Sequence, residues 1–116
     1  MPEDGHGMKV STSFSGETAV VAISGEVDMF TSPDLRRELR RLTRGAVKKI
    51  VVDLEGVGFM DSSGIATLVQ GLKEARPFGG DLLLAAPGET VMRVLQLANL
   101  TKLFRVHETV DGALAE

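Results

Sequence analysis

The residues best equipped for chemistry stand together in one stretch, Asp53-Leu54-Glu55-Gly56-Val57-Gly58-Phe59-Met60-Asp61-Ser62-Ser63-Gly64. It follows an apolar run and precedes a helical pattern. In open α/β sheets, functional sites gather at that place, the carboxyl ends of strands. Four chemistries compete for it. Gly56 and Gly58 begin a G-x-G-x-x-G dinucleotide fingerprint, but Asp61 stands at the third glycine, where a carboxylate repels a pyrophosphate. The G-x-x-x-x-G-K-[ST] phosphate loop is absent from the chain. A hydrolase nucleophile elbow needs glycine two residues before the serine, and Met60 occupies that position before Ser62. His107 is the plausible base for such a site, and no acid is placed to orient it. Asp53 ends a buried strand, as a phosphoacceptor aspartate of a receiver domain does. The acidic pair needed for Mg²⁺ is reduced to Glu17, however, and a late Lys-Pro pair is missing. A turn or strand-end carboxylate is the plainer reading of Asp53. The fourth reading is a phosphoacceptor serine. Ser62 lies at a helix start, where unpaired N–H groups and the helix dipole favour anions. Plain helix capping by Ser62 or Ser63 is the competing account, and the two are compatible.

The elements that must position this stretch follow from hydrophobic period and turn residues. Val10, Thr12 and Phe14 alternate with polar neighbours, which predicts a half-buried strand. Ser15-Gly16-Glu17 is a turn, and Ala19 to Ser24 a second strand that pairs with the first as an antiparallel hairpin. Thr31 and Asp34 resemble a capping box, Pro33 suits a first helical turn, and Leu35, Leu39 and Leu42 share one helix face. Arg36, Arg37, Arg40 and Arg41 fall elsewhere on that helix and read as a solvated face, with Gly45 closing it. Lys48 to Leu54 carries Ile50-Val51-Val52, the continuous apolar run of a strand buried on both faces. Glu55 to Asp61 is predicted as a loop and Ser63 to Arg76 as a helix. Leu82 to Ala86 is predicted as a buried strand. A helix follows with Val91, Val94, Leu95 and Ala98 inward and Asn99 in the left-handed conformation at its end. Phe104 to His107 and Val110 to Ala115 give a last strand and a last helix. The predicted class is α/β, one domain in the order β-β-α-β-α-β-α-β-α. Right-handed crossovers make a mixed, mostly parallel sheet of about five strands packed with about four helices. Residues 1–7 are expected to form a flexible tail ahead of a domain spanning 8–116.

Composition narrows the function. With 116 residues, 43% of them hydrophobic and 25% charged, the chain suits one soluble globular domain. It has no cysteine, and its two histidines are His6 and His107, so disulfides and thiolate metal sites are excluded. A net charge of −3 with mixed signs argues against a general nucleic-acid binder. No apolar run reaches the roughly 18 residues of a membrane span, and Glu3 and Asp4 do not suit a secretory leader, so a cytoplasmic location is expected.

Asp61-Ser62-Ser63-Gly64, preceded by Val51-Val52-Asp53-Leu54 and by Phe59-Met60, resembles the signature of the STAS domain family. Within it the resemblance is to the bacterial anti-sigma-factor antagonists. Ser24-Gly25-Glu26-Val27-Asp28 matches the family's Gly-Glu-x-Asp after the second strand. Gly79-Gly80, Leu97-Ala98-Asn99-Leu100 and Leu103-Phe104 also fall at matching places. The resemblance runs from Met8 over nearly the whole chain. It implies a partner switch that is not an enzyme. The unphosphorylated protein binds an anti-sigma factor that is also a serine kinase, and so frees a sigma factor. Phosphorylation of Ser62 ends the complex, and a serine phosphatase restores it. ATP and Mg²⁺ belong to the kinase, so no cofactor is expected on this chain. Asp28 and Asp61 match positions flanking the phosphoacceptor, with Met60, Ser63 and Gly64 beside them. Ser63 is expected to be the helix cap, while Asp28 reads either as a kinase contact or as a turn residue. No direct contact with nucleic acid or membrane is expected, and the protein is expected to be a monomer or weak dimer. A STAS scaffold or ligand-sensing module is the alternative.

Overall fold

A computed structural model describes residues 7–116. The expected tail, Met1 to Gly7, therefore lies outside the described residues except for Gly7, whose carbonyl accepts from Glu26 N–H at 3.1 Å. Strands β1 (Met8–Ser15) and β2 (Thr18–Val27) form the expected antiparallel hairpin, with Ser15 opposite Thr18. Strands β3 (Lys49–Met60), β4 (Asp81–Ala85) and β5 (Val106–His107) continue the sheet in parallel, in the sequential order β1-β2-β3-β4-β5. The crossovers are helices α1 (Ser32–Arg44), α2 (Ser62–Ala75) and α3 (Glu89–Leu97), and a short α4 (Val110–Leu114) follows β5.

The two faces of the sheet are covered unequally, and the period-2 geometry of a strand explains how. Ile50, Val52 and Leu54 of β3 and Leu82 and Leu84 of β4 point to one face. There they meet Leu35, Leu39 and Leu42 of α1, Leu68 and Leu72 of α2, and Val91 and Leu95 of α3. Their neighbours Val51, Leu83 and Ala85 point to the other face and pack on Ala113 of α4. The apolar run at Ile50-Val51-Val52 is thus buried on both sides, as predicted. Each fully buried Leu or Ile contributes about 1.5–3 kcal/mol, so this core holds the helix starts in place. On the flank, the Thr12 hydroxyl and the Arg41 guanidinium both bond the Glu38 carboxylate, tying α1 to β1. The Arg41 hydrogen bond holds the Glu38 carboxyl below its ordinary range.

Several local expectations differ from the structure. The predicted loop Glu55 to Asp61 is mostly strand, because β3 stays paired with β2 up to Val27 opposite Met60. Irregularities in register after Ala22 and Gly25 absorb the extra residues of β3. Gly56 makes this pairing feasible, since a Cβ there would lie 2.9 Å from the Ile23 carbonyl oxygen. The last strand is only Val106–His107, and Phe104 is instead buried in the main core. Helix α1 does close at Gly45 as expected, at φ −81, and a left-handed residue follows at Ala46, φ 62. Phe14 and Ala98 are exposed rather than inward. Asn99 does adopt the left-handed conformation, at φ 60.

Candidate functional site

Because β2 and β3 run side by side to their ends, the loops that open α1 and α2 emerge together. Asp61 N–H donates to the Val27 carbonyl at 3.1 Å, which fastens one loop to the other.

Helix α2 is started by a carboxylate. Asp61 is extended, and its Oδ1 accepts from Ser63 N–H at 2.8 Å and from Gly64 N–H at 3.3 Å. Two of the helix's orphan donors are thereby satisfied, and negative charge sits at the positive end of the helix dipole. The cap is therefore Asp61, not Ser63 as expected. Ser63 is half-buried, and its carbonyl accepts from the Thr67 hydroxyl at 2.9 Å. Ser62, the first residue of α2, is exposed. With the carboxylate capping the helix, its hydroxyl is not needed to start it.

The floor of the site is apolar and tightly packed. Met60 is only 2% exposed. Gly64 is buried against it: a Cβ at Gly64 would lie 2.7 Å from Met60 Cγ and 2.8 Å from Val27 Cγ1. Met60 and Gly64 are thus buried packing residues at the start of α2, and neither is open to solvent.

The neighbouring loop is organised by Asp28. Its Oδ1 accepts from Phe30 N–H at 2.9 Å and from Thr31 N–H at 3.1 Å, the bonds of an Asx turn. The Thr31 hydroxyl donates to the Glu26 carbonyl at 2.8 Å and accepts from Asp28 N–H at 2.9 Å. The expected capping box of Thr31 and Asp34 does not form, because this hydroxyl faces back into the loop and Asp34 pairs with Arg37 at 3.0 Å. The tight turn pushes Met29 and Phe30 outward, Phe30 being 71% exposed. Phe59 is also exposed, since it alternates with the inward Met60. Sequence reasoning missed Met29 and Phe30, and used Phe59 only as part of the Phe59-Met60 motif. The available signal for the first two was a pair of large apolar residues directly after a turn-forming aspartate.

The competing chemistries lose their geometry. Glu17 lies in the hairpin turn at the far end of the sheet, where Thr18 faces Lys49, so it cannot join Asp53 in a metal site. Asp53 Oδ1 accepts from Glu55 N–H at 3.0 Å, a local strand-end contact. Contrary to expectation, an acid does stand beside His107, whose Nε2 is 2.6 Å from Glu116 Oε2, but the pair lies on the β5 side, with β4 between it and β3. Among the described residues, no group of three or more His, Cys, Asp or Glu could hold a metal ion. Nor is any described helix long and apolar enough to cross a membrane.

A single α/β sheet thus presents an open serine at a helix start, beside a loop folded by an aspartate turn. Residues 9–113 match the STAS domain family, and the chain belongs to that family. It is 27% identical over 104 residues to an anti-sigma-B factor antagonist of Staphylococcus aureus (strain NCTC 8325 / PS 47), a match that covers 90% of this chain and 96% of that protein. The fold is similar to the crystal structure of an anti-sigma factor antagonist from Mycobacterium paratuberculosis, with TM-score 0.89, 27% identity, and 96% and 94% of the two chains covered. It is also similar to the anti-sigma factor antagonist SpoIIAA, 26% identical in both of its forms. The unphosphorylated form gives TM-score 0.80 over 91% of this chain and 93% of that one. The phosphorylated form, from Bacillus, gives 0.73 over 92% and 97%.

Proposed function

We propose that this chain is an anti-sigma-factor antagonist that binds an anti-sigma factor with serine kinase activity and is released when that kinase phosphorylates Ser62. The observation that carries the reading is the exposed Ser62 at the first position of α2, with Asp61 capping the helix in its place. The similarity to SpoIIAA, solved with and without phosphate, supports it.

The chemistry asked of this chain is modest. The kinase brings ATP and its metal; Ser62 Oγ bonds the γ-phosphorus as the bond to the β-phosphate oxygen breaks, ADP leaves with the kinase, and the hydroxyl proton passes to an acceptor on the kinase side. This chain presents the hydroxyl on a rigid helix start and keeps the adjoining backbone satisfied. The new phosphate adds about −1.5 to −2 charge beside the Asp61 carboxylate. Like charges forced together in an interface cost several kcal/mol, and each ~1.4 kcal/mol is tenfold in affinity. Release therefore needs no change of fold. Met29 and Phe30, exposed on the adjoining loop, supply apolar area for the complex that the phosphate disrupts. A serine phosphatase resets the switch by removing the phosphate.

The test pairs labelling with binding. Incubated with the kinase and ATP, the protein is expected to carry phosphate on Ser62 by mass spectrometry. Ser62→Ala is expected to bind without being released, and Ser62→Asp to bind about 100-fold more weakly, roughly 2.7 kcal/mol. Phosphate on another residue with Ser62 unmodified, or equal affinity of the two variants, overturns the proposal.

A further inference from the structure

The end of the molecule opposite Ser62 carries a second surface. Helix α2 runs away from Ser62 for 14 residues, roughly 20 Å at 1.5 Å per residue. At its far end a 3₁₀ turn, Arg76–Phe78, leaves Phe78 66% exposed. Two grooves open there. One, of about 570 Å³, lies between the ends of α1 and α2 and is lined by Arg44, Ala46, Lys73 and Phe78 among others. The other, of about 580 Å³, is lined by Phe14, Ala46, Lys48 and Lys49 among others. They adjoin at Ala46, so one continuous trough has an exposed phenylalanine on each side and cations around it. Among the described residues the acidic groups lining it are Glu17 and Glu74, and Glu74 is paired with Arg40 at 3.3 Å.

The Ser62 end has the opposite character. Residues 26–31 and 55–62 contain Glu26, Asp28, Glu55 and Asp61 and no lysine or arginine. They also carry the exposed Met29, Phe30 and Phe59. The loops around Ser62 are acidic and apolar, and the trough at the opposite end is basic and apolar. The complement of the trough is thus present on the chain itself.

We propose that the Arg44–Lys73–Phe78 trough docks the acidic, Ser62-bearing end of a second copy of this chain. Such a contact is heterologous, so association runs head to tail and grows with concentration rather than stopping at a symmetric pair. It competes with any other partner for the loops around Ser62. The inference does not depend on Ser62 being a phosphoacceptor.

Charge reversal tests it on the full chain. Sedimentation velocity is expected to show concentration-dependent association at an ionic strength of about 0.01 M that disappears near 1 M, where charges are screened within about 3 Å. The double variant Arg44→Glu, Lys73→Glu is expected to weaken association at least tenfold. The double variant Glu26→Lys, Glu55→Lys is expected to do the same. All four side chains are exposed, so the fold should survive. An equimolar mixture of the two variants restores complementary ends and is expected to regain association, which also shows that both are folded. A wild-type monomer at low salt, or association unchanged in either variant, overturns the proposal. So does a mixture no better than its parts. Capture of a monomeric protein by anionic lipid vesicles through Arg44 and Lys73 overturns it too, by giving the trough to a membrane.

Discussion

The loops that open α1 and α2 use the same kinds of residue and leave their hydroxyls in opposite states. Each follows a parallel strand, contains an aspartate and offers a hydroxyl residue at the helix start. In the α2 loop, Asp61 is itself the cap, and the next residue, Ser62, is left open to solvent. In the α1 loop, Asp28 stands three residues before Thr31, and the Thr31 hydroxyl is held by the Glu26 carbonyl and the Asp28 N–H, with 2% of the residue exposed. Whether a hydroxyl is available for modification therefore depends on where the carboxylate stands. Directly before the hydroxyl, it takes over the cap and releases it. Three residues earlier, it folds a turn that consumes it.

Substitutions can break or sharpen this contrast. Each is best read as a shift in urea midpoint at constant m. The largest effect is expected at the floor of the α2 loop: Gly64→Val forces atoms into Met60 and Val27 and should cost about 3 kcal/mol or more. Next, Thr31→Val leaves the Asp28 N–H and the Glu26 carbonyl without their hydroxyl partner and should cost about 2 kcal/mol. Asp61→Ala removes the α2 cap and should cost about 1 kcal/mol, while Asp61→Asn, an equally good cap by type, should recover most of it. The smallest effect belongs to Ser62→Ala, within about 0.5 kcal/mol, as at an ordinary surface position. If Ser62→Ala proves as costly as Thr31→Val, the two hydroxyls are equivalent and the contrast is wrong.

Much of the architecture is legible in the sequence because it rests on period. The alternation of β1, the double-sided burial of Ile50-Val51-Val52 and the leucine faces of α1 and α2 all follow from residue spacing. The features that were not legible depend on which neighbour a polar group finds. Thr31 and Asp34 have the letters of a capping box, but the Glu26 carbonyl, five residues back, captures the hydroxyl. Ser63 looks like a cap by type, yet the Asp61 carboxylate reaches its N–H first. Gly56 and Gly58 read as a loop, and they are strand because β2 lies alongside and the register tolerates the added residues. At the candidate site the position of Ser62 was legible. The burial of Met60 and Gly64 and the outward thrust of Met29 and Phe30 needed the packed loops.

The sequential strand order has a consequence for how the chain is made. Every strand pairs with the one synthesised just before it, so the sheet can widen in the direction of translation without waiting for a distant segment. The residues of the Ser62 loop, and the strands β2 and β3 that flank it, are all synthesised before the last third of the chain. β5, two residues wide, joins last and should be the strand whose backbone amides exchange with solvent soonest.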